Sequence, residues 1–415
     1  MHINPPACRV ATSPGDASLR KDPAISWRGL VKRTAASAII AMSIAPAFAQ
    51  TPSYPSCELH PHGGVAFQTL LKLRRGFNLT GWLDYKVGSR PRRPDFHLLR
   101  QLAALGFTHV RLPLTAELVM PAFAGAEVNA ATFLEVDAAL STLWDVGFAV
   151  SLDLHPDGDF TAYHQSNSAA AVNDLSELWQ KLAKRYAAKE ADKLYFELLN
   201  EPSTEPRAWR AQAIHLIDSI RAHSPDRTII FGPARFSRYD ELIAMPRLER
   251  ENIVYAVHFY DPMSFTHQGA DWNPESSSRM LHDVPFPSFD SDTQIARLVE
   301  ALKKQGNQRA AAGLAADYRR PWTTARINTE VAKIAAWSAR ERVPVIINEF
   351  GVLKAKVRYR DRLSWLRAVR GAAEIFCIGW AHWEFADGFG LVNQGPQGTS
   401  IDAGVIEALL ERSMP

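Results

Sequence analysis

A closed (β/α)8 barrel is the fold this sequence predicts, and three observations predict it. Eight apolar runs alternate with helical patterns between residues 76 and 383. The runs are nearly continuous in hydrophobicity, as strands covered on both faces are. No Gly-rich phosphate fingerprint follows the first run, GFNLTGW, which sets aside a doubly wound open sheet.

In chain order the strands are expected at GFNLTGW (76–82), FTHVRLP (107–113), FAVSLDLHP (148–156) and KLYFELLNEP (193–202). TIIFGP (228–233), IVYAVHFYDP (253–262), VPVIINEFG (343–351) and IFCIGWAHW (375–383) follow. Helical spacing is read at 94–106, 131–147, 175–189 and 325–341. Leu102, Leu105, Leu134, Leu140 and Leu143 recur at three- and four-residue steps, which predicts that they face the sheet. Gly106 and Gly147 suit left-handed caps ending two of these helices. The longest interval, 262–343, is expected to carry an extra helix at 292–305 and, with Trp272, Phe286, Phe289 and Trp322, to act as a binding loop inserted after the sixth strand.

Residues 1–49 stand apart. Arg28, Lys32 and Arg33 precede the apolar run AASAIIAMSIAPAFA, the pattern of a secretory signal peptide cleaved after Ala49. Residues 50–73 are expected as an N-terminal extension and 74–415 as one domain, secreted or periplasmic and monomeric. The run is shorter than the ~20 residues that span a bilayer, so no stable membrane insertion is expected after processing. The presequence holds six of the 47 basic and two of the 44 acidic residues, leaving 41 against 42. That balance gives no electrostatic reason to expect nucleic acid. Cys57 and Cys377 are free to pair in an oxidising compartment, with a buried thiol at Cys377 the rival reading.

The strand ends carry the chemistry. Pro113, Pro156, Pro202, Pro233, Pro262 and Gly351 break six of the eight runs. At those ends, or at the tip of the last strand, sit Arg111, His155, Asn200, Glu201, His258, Tyr260, Glu349 and Trp383. In a (β/α)8 barrel all these tips open on one face, where active sites are built. Glu201 and Glu349, after the fourth and seventh strands, would meet across the mouth. Paired carboxylates flanking a cleft suit glycosidic-bond cleavage better than capping or surface roles. Asn200 offers a hydrogen bond to a sugar hydroxyl and Trp383 a flat face for a ring. Trp272 and Trp82 are candidates for outer sugar subsites. His155, Asp157, Asp159 and His164 lack a recognised ligand spacing, so no metal is expected.

Taken together, LNEP, INEFG, DLHP and HFY resemble glycoside hydrolase family 5 over most of residues 74–390. The resemblance implies a retaining mechanism with Glu201 as acid/base and Glu349 as nucleophile, their carboxyl groups roughly 5 Å apart. It implies Arg111 holding Glu349 ionised, Tyr260 donating to Glu349, and His258 contacting the sugar or orienting a carboxyl group. It implies no cofactor and a β-1,4-glucan substrate of the cellulose type. Mannanase, licheninase and exo-glucanase activities use the same residues and stay open. A silent sugar-binding barrel and a metal-dependent hydrolase are the rivals from other classes. No linker or second module is visible, so soluble or amorphous chains are expected over crystalline ones.

Overall fold

In the computed structural model the described residues are 63–188, 192–272, 276–289, 293–396 and 398–410, all within the compact unit Ser53–Pro415. The segment expected as a signal peptide and Cys57 lie outside them. Eight parallel strands close into a barrel in sequential order. They are β1 (Arg75–Asn78), β2 (His109–Thr115), β3 (Ala149–His155), β4 (Leu194–Glu197), β5 (Ile229–Phe231), β6 (Ile253–His258), β7 (Val345–Phe350) and β8 (Gly379–His382). Each is followed by a helix on the outside: α1 (Phe96–Leu105), α2 (Ala126–Val146), α3 (Ser168–Arg185), α4 (Pro206–Arg221), α5 (Tyr239–Ala244), α6 (Thr324–Glu341), α7 (Tyr359–Ile375) and α8 (Ala403–Leu410).

The barrel interior is layered. Residues 63–73, expected as an extension, form the floor: Val65 and Leu73 pack on Ala149, Tyr195, Ile230, Val254, Ala256 and Ile346. Above them His109 Nε2 meets Ser151 Oγ at 2.8 Å, and above that lies fully buried Arg111. The outward residues Val110, Leu112 and Leu114 are buried against the helices. The upper half of the barrel is therefore polar inside, although its strands read as nearly continuous apolar runs.

The helices end where their sequences say. Gly106 and Gly147 cap α1 and α2 at φ 114° and 103°, a region that costs a side chain about 1–2 kcal/mol. Two of the five leucines placed on the sheet face do not lie there: Leu105 is 46% and Leu134 66% exposed. On α2 the buried stripe is Phe133, Val136, Ala139, Leu140 and Leu143, and Leu134 sits one helical step off it.

Two boundaries also differ. β2 runs through Pro113, whose fixed φ suits an extended chain at the loss of one ladder donor, so Arg111 lies inside the strand rather than at its tip. The apolar residues before β8 end α7 and make a turn. Cys377, in that turn at φ 57°, is partly exposed and disulfide-bonded, which removes the buried-thiol reading; its partner lies outside the described residues. A hairpin, Val392–Gly395 with Gly398–Ile401, was not anticipated.

The insertion after β6 carries helices Gln294–Lys304 and Gln308–Asp317. Of the four aromatics singled out there, Phe286 and Trp322 are buried in the main core, at 1% and 4% exposure, while Trp272 and Phe289 are exposed. Only part of this excursion faces the barrel mouth; the rest packs into the main core.

Candidate active site

Buried indoles on the outer helices hold the rim. Trp179 of α3 donates Nε1–H to Leu198 O at 3.1 Å, beneath the loop that carries Asn200 and Glu201. Trp209 of α4 does the same for Gly232 O at 2.8 Å, and Trp365 of α7 for Asp261 O at 3.1 Å. Each such bond contributes about 1 kcal/mol net, and breaking it strands a buried carbonyl. The apolar helix faces thereby set where the polar loops begin.

Arg111 is the hub. Its Nε and Nη2 donate to both oxygens of Glu197, each at 2.8 Å. Nη1 donates to Asn78 Oδ1 at 2.8 Å and to Glu349 Oε1 at 2.6 Å. Nη2 also reaches Asn200 Oδ1 at 2.9 Å and Asp153 Oδ2 at 3.0 Å. A guanidinium this deep persists because carboxylates compensate its desolvation. Asn348 Nδ2 donates to Glu197 Oε1 at 2.9 Å.

The two glutamates differ in how they are held. Glu349 accepts from Arg111 and from Tyr260 Oη at 2.9 Å, and His258 Nδ1 lies 3.3 Å from its Oε2. A skipped register between β6 and β7 pairs Glu349 directly with His258. Glu201 sits at φ 45° just before Pro202, in a region that both a side chain and a following proline disfavour. That strained turn leaves its side chain 34% exposed, with His258 Nδ1 2.8 Å from Oε1. One carboxylate oxygen of each glutamate and one His258 ring nitrogen all lie within 4.8 Å of one another.

Burial pushes Glu201 up to about 7, against the pull of His155 and Arg111. Burial also raises Glu349, with His258 and Arg111 pulling the other way, so Arg111 moderates the rise without reversing it. Donors on both oxygens favour the charged form of Glu349 over that of Glu201. Burial lowers His258 to about 4, so its ring is neutral at ordinary pH. A neutral Nδ1 can accept from protonated Glu201 or, as Nδ1–H, donate to its carboxylate, and so serves both proton states. His155 is lowered too, by burial first and then by Arg111. Its Nδ1 lies 2.9 Å from Asp153 Oδ2, and Asn200 Nδ2 lies 3.2 Å from its Nε2. That pairing fixes the tautomer and the Asn200 amide together.

An open cleft of about 570 Å³ lies over this network. His155, Asn200, Glu201, Tyr260, Glu349, Trp383 and Trp272 line it. Arg111 and His258 lie beneath. Trp383 follows the end of β8 and stacks on the His155 ring, centroids 5.8 Å apart. Trp272 packs beside His267 and Phe389. Trp82 does not reach the cleft: it is 3% exposed, in the core, and donates Nε1–H to Glu135 at 2.6 Å. The run carrying Trp82 leaves the sheet after Asn78, which turns its side chain inward.

The His155, Asp157, Asp159 and His164 set does not converge. Asp157 caps the helix Gly158–Ser166, and buried His164 pairs with Gln212 at 3.0 Å. Glu201, His258 and Glu349 are close enough to offer a metal one atom each. Their shared oxygens, however, already face Arg111, Tyr260 and the His258 nitrogen, so charge compensation there comes from the protein.

Sequence reasoning passed over Asn78, Asp153, Glu197 and Asn348. The signal was present: Asp153 and Glu197 are acids inside apolar runs, and a buried acid requires a cation.

A (β/α)8 barrel with two glutamates facing each other across an open mouth has the architecture of a glycoside hydrolase. The chain belongs to the cellulase family, glycosyl hydrolase family 5, whose model matches residues 75–386. It is 28% identical over 347 residues to Endoglucanase 3 of Fibrobacter succinogenes, covering 78% of this chain and 51% of that protein, about half its length. It is 25% identical over 332 residues to Endoglucanase C of Acetivibrio thermocellus, covering 76% of this chain and 92% of that one. The fold matches endoglucanase Cel5A from Thermotoga maritima with a TM-score of 0.66 at 24% identity, over 83% of this chain and 99% of that one.

Proposed function

We propose that the protein is a retaining endo-β-glycanase that hydrolyses β-1,4-glucosidic bonds of cellulose-type or soluble β-glucans. The observation that carries this reading is the approach of a Glu201 and a Glu349 oxygen within 4.8 Å across an open cleft. That spacing suits direct attack by a carboxylate and is too short for the water an inverting enzyme places between its acids. The endoglucanase relatives support the substrate class.

The chemistry runs in two displacements. Glu349 attacks the anomeric carbon while protonated Glu201 gives its proton to the departing glycosidic oxygen. The glycosyl–Glu349 ester forms as that bond breaks. Glu201, now a carboxylate, takes a proton from water, whose oxygen attacks the anomeric carbon and frees Glu349. Anomeric configuration is retained, and no cofactor enters. Arg111 and Tyr260 stabilise the carboxylate that leaves, Asn200 and His155 hold sugar hydroxyls, Trp383 underlies the ring at the scissile bond, and Trp272 supports an outer ring.

Among the described residues no helix is long and apolar enough to cross a membrane. Together with the signal-like presequence, this supports a secreted or periplasmic protein, which we take to be monomeric. The test is a reducing-sugar assay on cellulose, lichenan, mannan, xyloglucan and laminarin, with the product anomer followed by NMR. Turnover of β-1,4-glucans with retained configuration is expected. An inverted product, or undiminished turnover in Glu349→Gln, would overturn the reading.

A further inference from the structure

We propose that Arg92 and Asp387 together wall off the cleft beyond Trp383 and so set how many sugar rings the glycone end accepts. The inference rests on the glycanase reading above. Glu201, on the β4 side, donates to the departing oxygen, so the leaving chain runs on that side. The glycone runs past Trp383 toward β8 and β1. The chain there turns across its path: Glu384, Asp387, Gly388 and Phe389 all line the cleft.

This turn is fixed from three directions. From the β7 side, Lys354 N donates to Gly388 O at 3.0 Å. From beneath, buried Arg362 donates Nη2–H to Phe389 O at 2.7 Å. From the β1 side, Arg92 reaches over and grips both oxygens of Asp387, at 3.2 and 2.6 Å. Arg92 is itself held, since its backbone N donates to Gly81 O at 2.7 Å. Its guanidinium lies flat on Gly81, where a Cβ would meet Nη2 at 2.9 Å. Gly81 is also at φ 87°, so both the close approach and the backbone call for glycine. Asp387 stands at φ 59° with its carboxylate turned to that guanidinium.

The pair adds little to stability, because its side chains are 59% and 41% exposed. What it does is join the loop after β1 to the loop after β8 at the cleft edge. Loosening it opens room for one more ring on that side. Being exposed, it also weakens as salt screens it.

The experiment digests reducing-end-labelled cellohexaose with the full chain and assigns the bond cleaved by mass spectrometry. Arg92→Ala and Asp387→Ala are each expected to raise the share of products with a longer glycone fragment by roughly threefold, about what one net hydrogen bond to a further ring supplies. The reversed pair, Arg92→Asp with Asp387→Arg, is expected to restore the parent pattern, and 1 M salt to move the parent toward the single variants. Folded variants, checked by thermal melting, with the parent's bond preference would overturn this inference alone, as would a reversed pair that restores nothing. A parent protein that cleaves no β-1,4-glucan oligomer would overturn the glycanase reading and this inference with it.

Discussion

Tyr260 donates its phenolic hydrogen to Oε2 of Glu349 at 2.9 Å, on the oxygen opposite the one held by Arg111. A donor to the charged form lowers the cost of ionising that carboxyl group. Tyr260→Phe is therefore expected to raise the acid limb of the pH profile and to lower kcat by roughly tenfold to a hundredfold, a loss of about 1.4–2.7 kcal/mol. Steady-state rates from pH 4 to 8 check this; an acid limb left in place would separate Tyr260 from Glu349 ionisation.

Glu201 gives the opposite limb. In the proposed mechanism it carries a proton to act, and burial places its loss at about pH 7, so kcat/KM should fall as pH rises through that value. Stability follows the same sign. The folded value lies above the ordinary glutamate value of 4.5, so this group's contribution is full below about pH 4.5 and is lost as pH rises through about 7. Glu201→Gln should melt with the parent at pH 4 and above it at pH 8, while losing roughly 10²–10⁴-fold in turnover. Equal melting temperatures at both pH values would contradict the placement of that proton.

Arg111→Lys keeps the charge and loses the fork. Glu197 would lose its paired bonds, and Asp153, Asn78 and Asn200 would compete for one ammonium. Breaking a buried pair costs about 3–5 kcal/mol, which denaturant unfolding would report as a lowered midpoint. A midpoint unchanged within error would mean that the network tolerates a point charge.

Trp272 and Trp82 separate cleft from core. Trp272→Ala should raise KM for long glucans several-fold with little change in melting temperature, since its ring is 61% exposed on the cleft. Trp82→Phe should leave KM alone and lower stability by about 1 kcal/mol through the bond to Glu135. The reverse pattern, read from kinetics and melting of the two variants, would exchange their roles.

The barrel and much of its mouth were legible in the order of residues. Local periodicity, left-handed glycine caps and strand-ending prolines depend on neighbours in the chain, so they can be read without coordinates. Trp82 and Trp272 were not separable that way: each is a tryptophan beside a turn, Trp82 at the end of the first apolar run and Trp272 in the long insertion, and only the packing around each decides which faces water. The same holds for Leu134, one helical step from a buried stripe, and for Cys377, moved from strand to turn by the length of α7.

What the sequence alone determined is the alternation of strands and helices, and the placing of glutamates near the ends of the fourth and seventh strands. Tertiary structure decided that Arg111 lies inside β2 and holds Glu197, Asp153 and Glu349 at once, and that a left-handed turn presents Glu201 to the cleft. The reason is physical. Periodicity is a property of adjacent residues, whereas desolvation and charge pairing depend on groups far apart in the chain, such as Arg111 and Glu349 at 238 positions, that only barrel closure brings into contact.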